Sequence, residues 1–333
     1  MELNRVAVMG TGSWGTVFAK LLDENLIPVN LWGSNPELLV EIAASRTNPK
    51  YHPELKFSKM LNVASNPKIA LQDAPLVVLA MPAQRLRVNL NEWAADIGPD
   101  AVVVSLIKGL EHDSGKRVSE VVAEFIPNKF AVISGPNLAS EIAAGQFAAA
   151  TVASADSETA LLVQQLCSSE KYKLFRTNDV TGVEVAGTTK NIIALATGII
   201  IGLGLGENSQ AAIMTRGLAE MVRIGVAAGG HHETFLGLAG IGDLIATSQS
   251  AFSRNRSFGV LVGEGKSIST AMSLIGQTVE AMKSTEPILQ IAEKHHISVP
   301  IISHVANILN GKYPASSMLE VFQNDSHEIE QTI

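Results

Sequence analysis

Three glycines near the N-terminus have the spacing of a phosphate-binding turn. Gly10, Gly12 and Gly15 stand in GTGSWGT, directly after the apolar run RVAVM. That order gives G-x-G-x-x-G between a strand and a helix. Gly10 allows the tight turn, Gly12 lets the backbone approach a diphosphate, and Gly15 lets the helix pack closely on the strand. A helix starting near Trp14 would turn its free N–H groups and positive dipole end toward the anion. At the tip of the next strand, Leu31-Trp32-Gly33-Ser34-Asn35, no acid stands ready to hold a ribose 2′-hydroxyl. Ser34 and Asn35 are donors for either a hydroxyl or a 2′-phosphate, and Arg46 is the nearest downstream arginine. This favours NADP over NAD as cofactor without excluding NAD. Ser34 is also a natural N-cap ahead of Pro36.

A second set of residues could move protons and hold anions. Lys108 follows the run AVVVSLI, where a strand ends and ligands gather in open α/β folds. It suits charge neutralisation or carbonyl orientation, or is simply a surface lysine. Lys190 lies in EVAGTTKNIIALATG, in a helix apolar on most sides. Burial there is costly unless the lysine is paired or functional, and it would lower the pKa toward a value useful for proton transfer. Glu184 is an acid earlier on the same helix. The bland alternative is a snorkelling lysine at the helix rim. Asp243, after the glycine-rich turn GLAGIG, reads as a helix cap. Ser253-Arg254-Asn255-Arg256 concentrates donors suited to phosphate, or forms a solvated basic turn. The adjacent pairs His231-His232 and His295-His296 lack metal-ligand spacing, and nothing in the chain calls for a metal.

Elements must position these groups. Strands are expected at 5–9, 29–32, 75–80, 101–106, 130–134 and 149–153, with helices at 14–25, 36–46, 84–95, 114–125, 137–144 and 157–167. Alternation of this kind predicts a parallel, doubly wound α/β sheet. Beyond about residue 178 the apolar period becomes helical, over 179–204, 208–229, 234–247, 268–276, 285–294 and 301–309. The expected organisation is a dinucleotide-binding domain over 1–186 and an all-helical substrate and catalytic domain over 187–333. The polar end 324–333 is expected to fray.

With 333 residues, 25 Lys and Arg against 32 Asp and Glu, and 5% aromatics, the chain carries net charge −7. That argues against nucleic acid and anionic membrane as partners. Cys167 is the only cysteine, so no intrachain disulfide forms, and it reads as a buried small hydrophobe. Mean hydropathy of +0.21 is high, but the most apolar run, 192–205, is the length of a buried core helix rather than a span. No signal segment is read at the N-terminus. A cytoplasmic protein acting on a small molecule is the expectation.

Taken together, GTGSWGT at 10–16, LWGSNPE at 31–37, SLIKGLE at 105–111, SGPNLASE at 134–141, GTTKNIIA at 187–194, GLAGIGDLIATSQSAFSRNR at 237–256 and GQTVEAM at 276–282 closely resemble the bacterial NAD(P)-dependent glycerol-3-phosphate dehydrogenases. The resemblance covers nearly the whole chain. It implies interconversion of dihydroxyacetone phosphate and sn-glycerol 3-phosphate for phospholipid synthesis, with NADPH or NADH, in a homodimer. It assigns cofactor contacts to Ser13, Trp14, Ser34, Lys108, Ala139, Arg254 and Glu280, and substrate contacts to Lys108, Gly135, Asn137, Lys190, Asp243, Ser253, Arg254 and Asn255. Lys190 becomes the general acid and base, oriented by Asp243, with Lys108 adding positive potential. Tyr51 resembles part of a loop that closes near the cofactor, although Pro53-Glu54 replaces the usual Pro-Gly, and Asn137 stands where Thr or Ser is frequent. Related β-hydroxyacid and 6-phosphogluconate-type dehydrogenases, or a non-catalytic NAD(P)H sensor, are the alternatives.

Overall fold

The computed structural model describes residues 5–323, so the polar stretch 324–333 lies outside the described residues. The chain forms two compact units: 1–107 with 118–180, and 108–117 with 181–333. The boundary expected at 186/187 falls inside the helix Val180–Gly202. The short segment 108–117 groups with the helical unit.

Among the described residues, the first unit is built on eight strands: β1 (Val6–Met9), β2 (Val29–Trp32), β3 (Leu61–Val63), β4 (Leu76–Leu79), β5 (Val102–Ser105), β6 (Phe130–Ser134), β7 (Ala148–Ala153) and β8 (Tyr172–Thr177). Their order in the sheet is β3-β2-β1-β4-β5-β6-β7-β8. β2, β1, β4, β5 and β6 run parallel, as expected, and β3, which was not expected, pairs in parallel with β2. β7 turns antiparallel to β6, and β8 runs parallel to β7. Apolar residues of β1 divide between two cores: Val6 and Val8 join one, Ala7 and Met9 the other. A strand buried on both faces needs such a continuous apolar run. The strand order around β1 and β4 is that of a dinucleotide-binding fold.

The second unit is helical. Val180–Gly202 is long and apolar enough to cross a membrane by length and composition, but 89% of its most apolar window is buried. Ile192, Leu195 and Ile199 enter one core, Ala186 and Ile193 another. A helix apolar on all sides is a core helix. Cys167, in the first unit, is buried as expected, and burial pushes its thiol up to about 12.

One close contact fixes the second unit's register. Gly198 and Gly202 of the long helix meet Gly259 and Gly263 of the helix Arg254–Gly263. A Cβ on Gly198 would overlap the Arg256 carbonyl oxygen, and one on Gly259 would overlap that of Leu195. Only glycine lets two helix backbones approach this closely. The contact holds the start of Arg254–Gly263 in place relative to the helix that carries Lys190. Gly198→Ala is expected to cost about 1–3 kcal/mol by overpacking. Thermal denaturation should show a lower Tm by about 2–4 °C for each kcal/mol. Gly206→Ala is the matched control, because its Cβ enters open space at an ordinary φ of −77°.

Candidate active site

The glycine loop of the first unit has the shape that a diphosphate requires. Gly10 adopts φ +143°, and a Cβ there would overlap the Ala80 carbonyl. A Cβ on Gly15 would overlap the Gly10 carbonyl oxygen, whereas one on Gly12 meets nothing within 4 Å. Two glycines are therefore needed for packing, and the third keeps the backbone open on its outer side. Gly12 is the N-cap of Ser13–Glu24 and no side chain caps that helix, so N–H groups of its first turn stay available.

The segment after the second helix braces this loop. Asn48 is fully buried and donates to the Thr11 carbonyl (3.0 Å) and to Thr16 Oγ1 (2.8 Å). His52 Nε2 lies 2.8 Å from Ser13 Oγ. Sequence reasoning missed both residues, since a lone Asn and a lone His carry no spacing signal. Tyr51 packs against the core below, with Lys50 Nζ 5.5 Å from its ring centre. At the β2 tip the cap is Asn35 rather than Ser34: its Oδ1 accepts from Leu38 N at 3.0 Å. Pro36 occupies the first helical position, which sets the cap one residue before it. Ser34 is left exposed. Arg46 donates to the carbonyls of Ser58 and Leu61, so its guanidinium is committed within the fold.

Beyond β6, Gly135 turns the chain at φ +148°, and Ala139 opens a short helix. Asn137 Oδ1 accepts from Tyr172 Oη at 3.2 Å, while its Nδ2 is buried without a partner. Trp14 makes edge-to-face contacts with Phe18 and Tyr172, and its buried Nε1–H is also without a partner. Buried donors left unmatched are costly unless an acceptor completes them. Both residues are among those assigned ligand contacts, and the unit's donor set fits a nicotinamide dinucleotide.

In the second unit, Lys108, Lys190 and Asp243 come together. Asp243 is 2% exposed; its Oδ2 accepts from Lys108 Nζ at 2.7 Å and its Oδ1 from Lys190 Nζ at 3.0 Å. Thr247, one turn further along the helix Asp243–Gln249, accepts from Lys190 Nζ at 2.6 Å and donates to Asp243 Oδ1 at 3.1 Å. The expected capping role of Asp243 is not observed: Gly242 is the N-cap, and no side chain caps the helix. The preceding residues, Leu238–Gly242, form a π-helical turn that runs directly into the helix. Asp243 therefore has helical geometry itself, and its carboxylate is free to reach the two ammonium groups. Glu184 does not reach Lys190; it pairs with Arg117 at 3.1 Å.

The electrostatics follow from burial and pairing. Desolvation lowers Lys190 to about 8; Asp243 partly restores it, and Lys108 and Arg254 depress it further. Burial alone would raise Asp243, but Lys108 and Lys190 outweigh it and hold the carboxyl below its usual range. Asn191 links neighbouring segments, donating to the Lys108 carbonyl (3.4 Å) and accepting from Asn255 Nδ2 (2.9 Å). Asn255 Oδ1 accepts in turn from Ala281 N at 3.1 Å. Ser253 Oγ caps its helix by accepting from Arg256 N. Arg254 is exposed, and its charge is felt at both Lys190 and Glu280. Burial raises Glu280 to about 6, and its Oε2 has no partner.

Comparison with known proteins decides the family. Residues 5–160 match the NAD-dependent glycerol-3-phosphate dehydrogenase N-terminus, and residues 179–320 match the C-terminus of the same family. The chain belongs to that family. It is an oxidoreductase that uses a nicotinamide cofactor. The glycerol-3-phosphate dehydrogenase [NAD(P)+] of Thermobifida fusca is 42% identical, with 99% of each chain covered. That of Streptomyces avermitilis is 41% identical, with 97% of each covered. A crystal structure of glycerol-3-phosphate dehydrogenase from Coxiella burnetii matches with a TM-score of 0.93 at 33% identity, covering 96% of this chain and 99% of that one. In this chain a buried carboxylate, Asp243, holds two lysine ammonium groups, Lys108 and Lys190.

Proposed function

We propose that the chain reduces dihydroxyacetone phosphate to sn-glycerol 3-phosphate, with Lys190 as general acid. One observation carries the assignment: a buried lysine lowered to about 8 and bonded to a buried aspartate beside a second lysine. The dihydronicotinamide supplies the hydride. As charge grows on the carbonyl oxygen, Lys190 Nζ gives it a proton, and in the reverse direction takes one from the alcohol. Asp243 and Thr247 orient Nζ, and Lys108 adds positive potential to the same oxygen. No step needs a metal.

The substrate phosphate falls to Arg254, supported by the Ser253 hydroxyl proton and the second amide N–H of Asn255. Gly135 and Asn137 keep the substrate role that the family resemblance gives them, and Asn137 Nδ2 has a hydrogen bond to give. Gly10, Gly12, Ser13, Trp14 and Gly15 hold the cofactor's diphosphate end, Ser34 and Asn35 its ribose. The family resemblance also gives cofactor contacts to Lys108, Ala139, Arg254 and Glu280, and places Tyr51 in a loop near the cofactor. The β2 tip carries no acid against a 2′-phosphate and Arg46 is committed elsewhere, so NADPH is favoured only modestly over NADH. A cytoplasmic homodimer is the working assembly.

The test follows dihydronicotinamide absorbance with dihydroxyacetone phosphate, 3-hydroxyisobutyrate or 6-phosphogluconate in parallel, each with the matching cofactor redox state. Turnover confined to the first is expected, and turnover with only one of the others would discard the reading. Arg254→Ala is expected to raise KM for the phosphorylated ketone by roughly 10–100-fold, the loss of one charge-assisted bidentate contact. A non-phosphorylated ketone should be affected far less. Equal effects on both substrates would remove Arg254 from the phosphate site.

A further inference from the structure

Glu54, His52 and Ser13 form a chain of hydrogen bonds that ends on the glycine loop. His52 Nδ1 lies 3.2 Å from Glu54 Oε1, and Nε2 lies 2.8 Å from Ser13 Oγ. The imidazole is 4% exposed, while the Glu54 side chain is 59% exposed. Backbone bonds to the Asn48 carbonyl fix the segment, from Tyr51 N (3.3 Å) and His52 N (2.8 Å). Asn48 itself grips the loop at Thr11 and Thr16.

The direction of these bonds follows from donor and acceptor capacity. A carboxylate only accepts, so Nδ1 carries a hydrogen toward Glu54. In the neutral ring the other nitrogen then only accepts. Ser13 must give its proton to Nε2, which leaves lone pairs facing outward from the loop. Lone pairs oppose a diphosphate oxygen, which is itself an acceptor. Once Nε2 gains a proton from solvent, it donates to Ser13 Oγ, and the hydroxyl hydrogen turns toward the anion. The other charged groups on adjoining elements have contacts of their own. Lys50 lies over the Tyr51 ring. On the helix packed against the loop, Lys20 pairs with Asp23 and Glu24.

We propose that His52, held by Glu54, is a positioning residue that reverses the Ser13 hydroxyl when the cofactor diphosphate binds, so that binding takes up a proton. The proposal rests on the assignment of Ser13 to the diphosphate end. By linkage, cofactor affinity then rises as pH falls. His52 acts through Ser13 and does not itself touch the cofactor.

Isothermal titration calorimetry of the full chain with NADH, in buffers of different ionisation enthalpy at about pH 7.5, counts the protons exchanged. Wild type is expected to take up a substantial fraction of one proton. His52→Leu should bind without uptake and roughly tenfold more weakly. Glu54→Ala, at an exposed position that tolerates the change, frees Nδ1 so that a neutral ring can donate from Nε2; uptake should fall by more than half while binding persists. NADH binding by wild type without proton uptake, or uptake retained in His52→Leu, overturns the relay alone. No NADH binding at all overturns the cofactor assignment and the relay with it.

Discussion

Replacing Lys190 with alanine is expected to lower kcat for dihydroxyacetone phosphate by roughly 10²–10⁴-fold, the range for a positioned general acid. NADPH binding should stay near wild type, since the glycine loop belongs to the other compact unit. Lys190 is 5% exposed and bonded to Asp243 and Thr247, so solvent does not readily replace it. Wild-type pH dependence should carry the same signature. Reduction needs protonated Lys190, so kcat falls as pH rises through about 8. Oxidation of the alcohol needs the neutral amine, so its kcat rises through the same range. In Lys190→Ala both limbs should vanish. Near-wild-type turnover, or a residual limb at about 8, would assign the proton to another group.

Much of the molecule was legible in the sequence because local chemistry and tertiary role coincide there. Strands buried on both faces read as apolar β-rich runs, as in β1, β4 and β5, and β2 (VNLW), β6 (FAVIS) and β7 (AAATVA) were foreseen on weaker patterns of the same kind. β8 was not, since Tyr172, Lys173, Leu174 and Phe175 alternate over a strand with one buried side. β3 is three residues long and has no pattern to read. The reversal of β7 is a matter of connection, which composition does not record. Lys190 stood out as a lone charge in an apolar helix, but its partners did not. Asp243 looked like a cap because a π-helical turn resembles a glycine-rich loop in sequence. Thr247 had one faint signal, its place a helical turn beyond Asp243. The helix Arg254–Gly263 was hidden because SRNR reads as a cluster of donors, while the glycines that pack it serve two backbones at once.

Asp243→Asn is expected to do more than misplace Lys190. The carboxylate binds two ammonium groups, and the amide that replaces it balances neither charge. Breaking a buried pair by removing one partner costs about 3–5 kcal/mol. Lys190 escapes part of that cost by giving up its proton, because burial, Lys108 and Arg254 all push in that direction once Asp243 no longer opposes them. Stability loss should therefore sit at the low end of the range, whereas neutral-pH reduction should fall by at least about 10²-fold, the cost of misplacement alone. The alkaline limb of kcat should move below about 8. Lys108→Met gives the opposite displacement: it removes a neighbouring positive charge, so Lys190 holds its proton longer and the limb moves above about 8 even as turnover drops. Opposite shifts in the two variants separate an electrostatic cluster from simple structural damage, which would lower kcat in both and leave the limb in place. Limbs that stay at about 8 in both would therefore overturn the electrostatic coupling of Lys190 to Asp243 and Lys108.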